Sequence, residues 1–246
     1  MSEKVKLWLI VWTIGLWGGI FVWLLIAAGV IKLKGYRADK FNSGDKGLIL
    51  ISNHPSLFEP AILPFLFLFS PRSYLFHLDK IPYSTPDKEN YYDKSWFFFL
   101  RPVCVPIERK KRREELKAMD WFRTIVQNGG VLILFAEATR TWKGGEKRGY
   151  RYSLSGEPIA RFPLGIRRLV HGLDCKVLSV WTKGGEKIIP NEWNFPDAYK
   201  FLAAPFRLPK GMEIIIGEPF ESKSLPQNKR RIAGELEKRL LEVSEF

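Results

Sequence analysis

The chain has 246 residues, enough for one α/β domain or two small ones, and 46% of them are hydrophobic, ample for a core. A formal charge of +13 implies an anionic partner: nucleic acid, a membrane surface or a phosphorylated substrate. Two cysteines (Cys104, Cys175) and three histidines (His54, His77, His171) have neither disulfide-framework nor zinc spacing, so no scaffold of bridges and no metal site is expected.

Residues 7–31 contain no charge, only Thr13 as a clearly polar side chain, and four of the nine tryptophans: Trp8, Trp12, Trp17 and Trp23. As a helix such a run is about 37 Å long, enough to cross a hydrocarbon core of about 30 Å. Gly15, Gly18 and Gly19 allow a re-entrant hairpin instead, and Ala27-Ala28-Gly29 allows a cleavage site. Lys32, Lys34, Arg37 and Lys40 outweigh Lys4 and Lys6, which places the body on the cytoplasmic side if the segment spans. The expected division is an anchoring segment over 1–34 and a folded domain over 35–246.

A short apolar run, 47–51, predicts a buried strand. It delivers Ser52-Asn53-His54-Pro55-Ser56-Leu57-Phe58-Glu59-Pro60. Pro55 biases His54 toward extended backbone at the strand's exit, and Pro60 suits the opening of a helix. Glu59 follows His54 by five positions, a poor spacing for one helix face, so a contact between them needs a turn through Pro55 and Ser56. With that contact, Glu59 holds one ring nitrogen protonated and leaves the other free as a base, the logic of a catalytic triad without its serine.

Residues 61–69 are apolar throughout apart from the break at Pro64, and belong in the core or against lipid. Tyr91, Tyr92, Trp96, Phe97, Phe98 and Phe99 read as core slightly ahead of an acyl groove or a membrane-interface cluster. A strand is expected over 103–107, ending in Glu108-Arg109; an arginine there can fork onto phosphate oxygens as lysine cannot. The basic run 109–113 attracts an anionic leaflet by about 1 kcal/mol per charge. Leu116, Met119, Phe122, Ile125 and Val126 form a helical stripe closed by Asn128-Gly129-Gly130. The buried-type strand 131–135 then leads into Phe135-Ala136-Glu137-Ala138-Thr139-Arg140-Thr141. Residues 142–161, with five basic side chains among four glycines, read as a flexible loop, a candidate lid or membrane contact. Strands over 177–181 and 212–216 follow, and 230–243 carries Ile232, Leu236, Leu240 and Val243 along one helical face. Strands alternating with helices give an α/β sheet.

Three of these stretches resemble motifs of the glycerolipid acyltransferases, the lysophosphatidate acyltransferase family. Asn53 and His54 match the first motif, Asn-His followed after four residues by Asp, with Glu59 in the place of the Asp as in the late acyltransferases of lipid A. Glu108-Arg109 resembles the second. Phe135, Glu137, Thr139 and Arg140 match the third, Phe-Pro-Glu-Gly-Thr-Arg-Ser, in register, while Ala136 and Ala138 replace Pro and Gly. If that glycine has positive φ, Ala138 is strained by about 1 kcal/mol. The lysine that usually precedes the glycine matched by Gly165 is missing, and Arg161 or Arg167 would have to replace it.

The resemblance spans about residues 40–220 and implies a mixed central sheet flanked by helices, with the site at its edge. It implies His54 as general base, Glu59 as the acid that orients it, and Asn53, Arg109, Glu137, Thr139 and Arg140 as substrate-binding residues. The expected activity moves a fatty acyl group from acyl-CoA or acyl carrier protein to a lysophospholipid hydroxyl, most of all 1-acyl-sn-glycerol-3-phosphate. The carrier is a substrate, and neither a cofactor nor an acyl-enzyme is expected. The alternatives are another acceptor such as a glycolipid, or a non-catalytic lipid-binding relative. A nucleic-acid binder fits the charge but lacks a recognisable motif.

Overall fold

The computed structural model describes the chain apart from residues 1, 43, 72, 109–111, 164, 191–198 and 201–203. Its centre is a seven-stranded mixed sheet. The strands are β1 (Ile31–Lys34), β2 (Gly47–Ser52), β3 (Pro82–Tyr83), β4 (Val131–Phe135), β7 (Cys175–Lys183), β8 (Met212–Ile216) and β9 (Phe220–Glu221). The order is β1-β8-β7-β2-β4-β3, with β9 on β7. A separate hairpin joins β5 (Tyr150–Tyr152) to β6 (Pro158–Ala160).

β2 is buried at all six positions because it lies between two parallel neighbours with both faces covered. Leu48, Leu50, Val131 and Ile133 face a core layer that includes Val11 and Val22 of the N-terminal helix and Leu63, Leu66 and Phe67. Ile49, Ile51, Leu132 and Leu134 face the other layer. That layer is supplied by Phe122 of α4 (Arg112–Gln127), Leu169 of α6 (Gly165–Val170) and Leu236 of α8 (Lys229–Val243). The strict alternation of faces along β2 and β4 is the pleat expressed as two cores.

The uncharged N-terminal run is a continuous helix, not a hairpin: α1 (Glu3–Ile10) and α2 (Leu16–Ala27) are joined by one wider helical turn at Val11–Gly15. The glycines serve as a packing seam. A Cβ on Gly18 would come 2.5 Å from the Phe65 ring, and one on Gly19 would come 2.6 Å from Leu68. Tyr74 Oη donates to the Gly15 carbonyl (2.9 Å), and Trp23 Nε1 donates to the Phe65 carbonyl (3.3 Å). The opposite face is open: Trp8, Trp17, Phe21 and Leu24 are each at least half exposed. Phe69 and Phe76 extend the same apolar character onto the body, through ring contacts with Trp23 and Trp12.

Ile31–Lys34 pairs with β8 as a strand of the sheet. Among the basic residues after the uncharged run, Lys40 is buried against Glu218 (2.8 Å), and Lys34 pairs with Glu213 (3.0 Å). Two expectations need correction. The expected strand over 103–107 is reduced to isolated bridges, Ser84 with Cys104 and Asp87 with Ile107. Pro86, Pro102 and Pro106 remove donors that a ladder there would need. Finally, 142–161 is not a loose loop but α5 (Thr141–Arg148) followed by the β5–β6 hairpin. Its glycines allow close approach: a Cβ on Gly145 would come 1.9 Å from the Tyr150 ring. In the aromatic cluster Phe97 is buried, whereas Phe98 and Phe99 are exposed, so the core reading holds only in part.

Candidate active site

β2 and β4 run parallel with Ser52 opposite Phe135, so the first and third motifs leave the sheet side by side. That is the carboxyl edge of parallel strands, where open α/β sheets form ligand sites. The two motifs are tied at the His54 backbone. Its N–H donates to Glu137 Oε1 (2.8 Å), and its carbonyl accepts from the Thr141 N–H (2.9 Å). The imidazole lies at a tilt over Phe135, with centroids 4.5 Å apart.

The turn from His54 to Glu59 forms as the prolines require, and a serine holds it. Glu59 Oε2 accepts from the Ser56 N–H (3.0 Å), Oε1 accepts from Ser56 Oγ (2.7 Å), and Ser56 Oγ accepts from the Phe58 N–H (3.0 Å). These bonds aim the Glu59 carboxylate back at the turn from the first residue of α3 (Glu59–Ile62). Glu59 is fully buried, and its Oε2 lies 3.4 Å from His54 Nδ1. That contact is long and misaligned for a hydrogen bond, so Nδ1 is buried without a formal bond partner. Catalytic pairs are often loose before substrate arrives and tighten in the complex.

Gly185 backs the pair. It opens α7 (Gly185–Ile188) after β7, and a Cβ there would come 2.0 Å from Glu59 Oε1 and 2.8 Å from Ser56 Oγ. The extra methylene that distinguishes Glu59 from aspartate is therefore accommodated by a residue without a side chain. Nothing in the motif spacing pointed to Gly185; Ser56 entered only as part of the turn between His54 and Glu59.

Asn53 is engaged within the fold. Its Nδ2 donates to the Thr182 carbonyl (2.9 Å), while Oδ1 accepts from the Thr182 N–H (2.8 Å) and Oγ1 (3.0 Å). It clamps β2 to β7 where both strands end, and so fixes the backbone that presents His54. Glu137 is a buried hub. Besides the His54 N–H it accepts from Thr141 Oγ1 (2.7 Å) and, through Oε2, from the Ala160 N–H (2.7 Å). Ala138 has φ 56°, the left-handed geometry expected of the motif's glycine, and it is the one non-glycine residue in that region among those described. Thr139 Oγ1 donates to the Arg140 carbonyl (3.3 Å), and the Arg140 guanidinium lies 5.7 Å from the Trp142 ring centroid. Arg109 lies outside the described residues. Among the described residues no cluster of His, Cys, Asp or Glu could hold a metal.

Burial pushes the Glu137 carboxyl up from 4.5 to about 7, against the lowering effect of the Ala160, Thr141 and His54 donors and of Arg148. Between these two values the folded chain holds a proton that the unfolded chain has released. The contribution to stability is therefore complete below pH 4.5 and is lost as pH rises through about 7. Thermal melts of wild type and Glu137→Gln between pH 4 and 8 should diverge, with wild type losing the extra stability on the alkaline side. Parallel curves would show that Glu137 is ionised throughout.

A histidine set 3.4 Å from a buried carboxylate, at the carboxyl edge of parallel strands, has the two parts needed to draw a proton from a hydroxyl. The family model described as Acyltransferase matches residues 32–183, more than half of the chain. The chain belongs to the acyltransferase family. Among solved structures it is similar to the crystal structure of the 1-acyl-sn-glycerophosphate (LPA) acyltransferase PlsC from Thermotoga maritima. The TM-score is 0.56 at 14% identity, covering 99% of this chain and 97% of that one, a likeness of fold. No curated protein is similar enough in sequence to count as a match.

Proposed function

We propose that the protein is a membrane-bound O-acyltransferase that moves a fatty acyl group from acyl-CoA or acyl carrier protein to 1-acyl-sn-glycerol-3-phosphate, giving phosphatidic acid. The observation that carries this reading is the buried Glu59, held by two hydrogen bonds from Ser56 and set 3.4 Å behind His54 Nδ1 at the exit of β2. Glu59 keeps the proton on Nδ1, so Nε2 is free to take the acceptor's hydroxyl proton as the oxygen attacks the thioester carbonyl. The tetrahedral intermediate then collapses with loss of the carrier thiolate, which leaves as the thiol when His54 returns the proton. Asn53 and Glu137 set the His54 backbone, and Thr139, Arg140 and Arg109 hold the acceptor.

Arg109 and Arg140 at their motif positions favour a phosphate headgroup, each pairing being worth about 1.5–3 kcal/mol net. The test compares lysophosphatidate with monoacylglycerol, its dephosphorylated counterpart, in wild type, Arg109→Ala and Arg140→Ala. Wild type should prefer the phosphate form, and both variants should lose the preference mainly through KM. Equal use of the two acceptors by wild type would assign the site to a different lipid, such as a glycolipid.

Membrane binding rests on the helix Lys4–Ala27, long and apolar enough to cross a membrane and mostly left unburied by the body. Its inner face is occupied by the body, so the outward face with Trp17, Phe21 and Leu24, together with Phe69 and Phe76, enters the lipid. The cations beside it keep the body at the cytoplasmic surface. Wild type should resist a high-salt wash and need detergent for release. Trp17→Glu with Leu24→Glu, both on the open face, should convert it to a salt-releasable protein that still folds. Salt release of wild type would remove the anchor.

A further inference from the structure

Away from the His54–Glu59 pair, a cavity of about 440 Å³ lies between α8, β5 and the exit of β6. Four arginines line it: Arg151, Arg161, Arg230 and Arg231. One is held by the protein. Arg151 Nε sits 2.7 Å from Glu237 Oε2, and Glu237, 3% exposed, also accepts from the Phe162 N–H (2.7 Å). The guanidinium groups of Arg161, Arg230 and Arg231 have no hydrogen-bonding or ionic partner among the described residues. The cavity thus brings together four positive charges against one carboxylate.

The start of α8 adds to this positive charge. Its first turn carries Lys229, Arg230 and Arg231 and no acid, which opposes the helix dipole, since helix N-termini favour negative charge. A helix start of this kind is locally frustrated until an anion arrives.

We propose that this cavity is a second ligand site that takes a phosphate-bearing group of about the charge of a diphosphate. Guanidinium groups pair with phosphate oxygens through two parallel N–H bonds, and a net charge of about three positive units matches a diphosphate. Such phosphates reach the protein from two sources: the coenzyme A part of a thioester donor, or the headgroups of an anionic membrane. The site also adjoins the catalytic motif through the chain, because Arg161 follows Ala160, whose N–H binds Glu137.

The test uses full-length protein in detergent, with Arg161→Gln, Arg230→Gln and Arg231→Gln combined. A control of equal charge loss combines Lys32→Gln, Lys94→Gln and Lys187→Gln at exposed positions elsewhere. By calorimetry, wild type and control should bind inorganic pyrophosphate alike, and the arginine variant should bind about a hundredfold more weakly. Pyrophosphate should raise the melting temperature of wild type but not of the variant, which without anion should melt no lower than wild type. Coenzyme A and phosphatidylglycerol vesicles then separate the sources, as the variant loses affinity for one of them. Undiminished pyrophosphate binding in the variant, or an equal loss in the control, would overturn the proposal. Because no arm depends on turnover, the result stands apart from the acyl-transfer reading.

Discussion

His54→Ala should lower the rate of acyl transfer by about 10²–10⁴-fold, the usual effect of losing a general base, while leaving the melt nearly unchanged. The fold tolerates the loss because the His54 contacts that matter structurally are made by its backbone: the N–H to Glu137 and the carbonyl from Thr141. The side chain contributes its stacking on Phe135 and the contact with Glu59. Glu59→Gln should cost less than His54→Ala, because an amide can still accept from Ser56 and from the ring. Glu59→Asp should keep much of the activity, since the carboxylate survives. The check is thiol release from the acyl donor in the presence of acceptor, read beside the thermal melt. A fall in activity matched by a collapse of the melt would reassign His54 to structure.

Gly185→Ala has the second largest expected effect, although residue 185 touches no reacting atom. The added methyl has 2.0 Å to the nearest carboxylate oxygen of Glu59 and 2.8 Å to Ser56 Oγ, both too short for any contact. Glu59 must rotate away, and the group behind His54 Nδ1 is lost, so kcat should fall at least tenfold with KM for the acceptor little changed. Shortening the acid relieves the clash, since aspartate withdraws the carboxylate by about one carbon–carbon bond, about 1.5 Å. Gly185→Ala combined with Glu59→Asp should therefore be more active than Gly185→Ala alone. That reversal is a signature that simple destabilisation would not produce, because two independent defects would add. If the double variant is no better than the single one, Gly185 is only a packing residue at the start of α7.

Much of this architecture was legible because its signals are local. β2 and β4 are apolar almost throughout, and β7 and β8 are apolar through most of their buried stretches, as burial on both faces demands. The stripes of α4 and α8 and the positive φ at Ala138 needed only period and motif register. The misreadings come from residue types whose meaning depends on distant partners. Glycines 144, 145 and 149 read as a loop, yet the first two are buried in a helix, and Gly145 gives room to Tyr150. β1, with its charged Lys32 and Lys34, follows directly on an apolar run and carries no local strand signal; only its pairing with β8 places it in the sheet. At the site, His54, Glu59 and Glu137 stood out by motif, and the network around them did not. Thr182, Ala160 and Gly185 act through backbone groups or through the absence of a side chain, and such roles leave no mark on composition.

The central claim is direct transfer from thioester to lipid hydroxyl, with His54 as the base and no covalent enzyme intermediate. The most direct measurement is a single turnover with purified full-length protein in detergent, using a donor labelled in its acyl chain, with and without lysophosphatidate. The account predicts labelled phosphatidic acid only when both substrates are present, in wild type and not in His54→Ala, and no label on the protein at any time. Labelled protein accumulating before product, or transfer at the wild-type rate by His54→Ala, would contradict it.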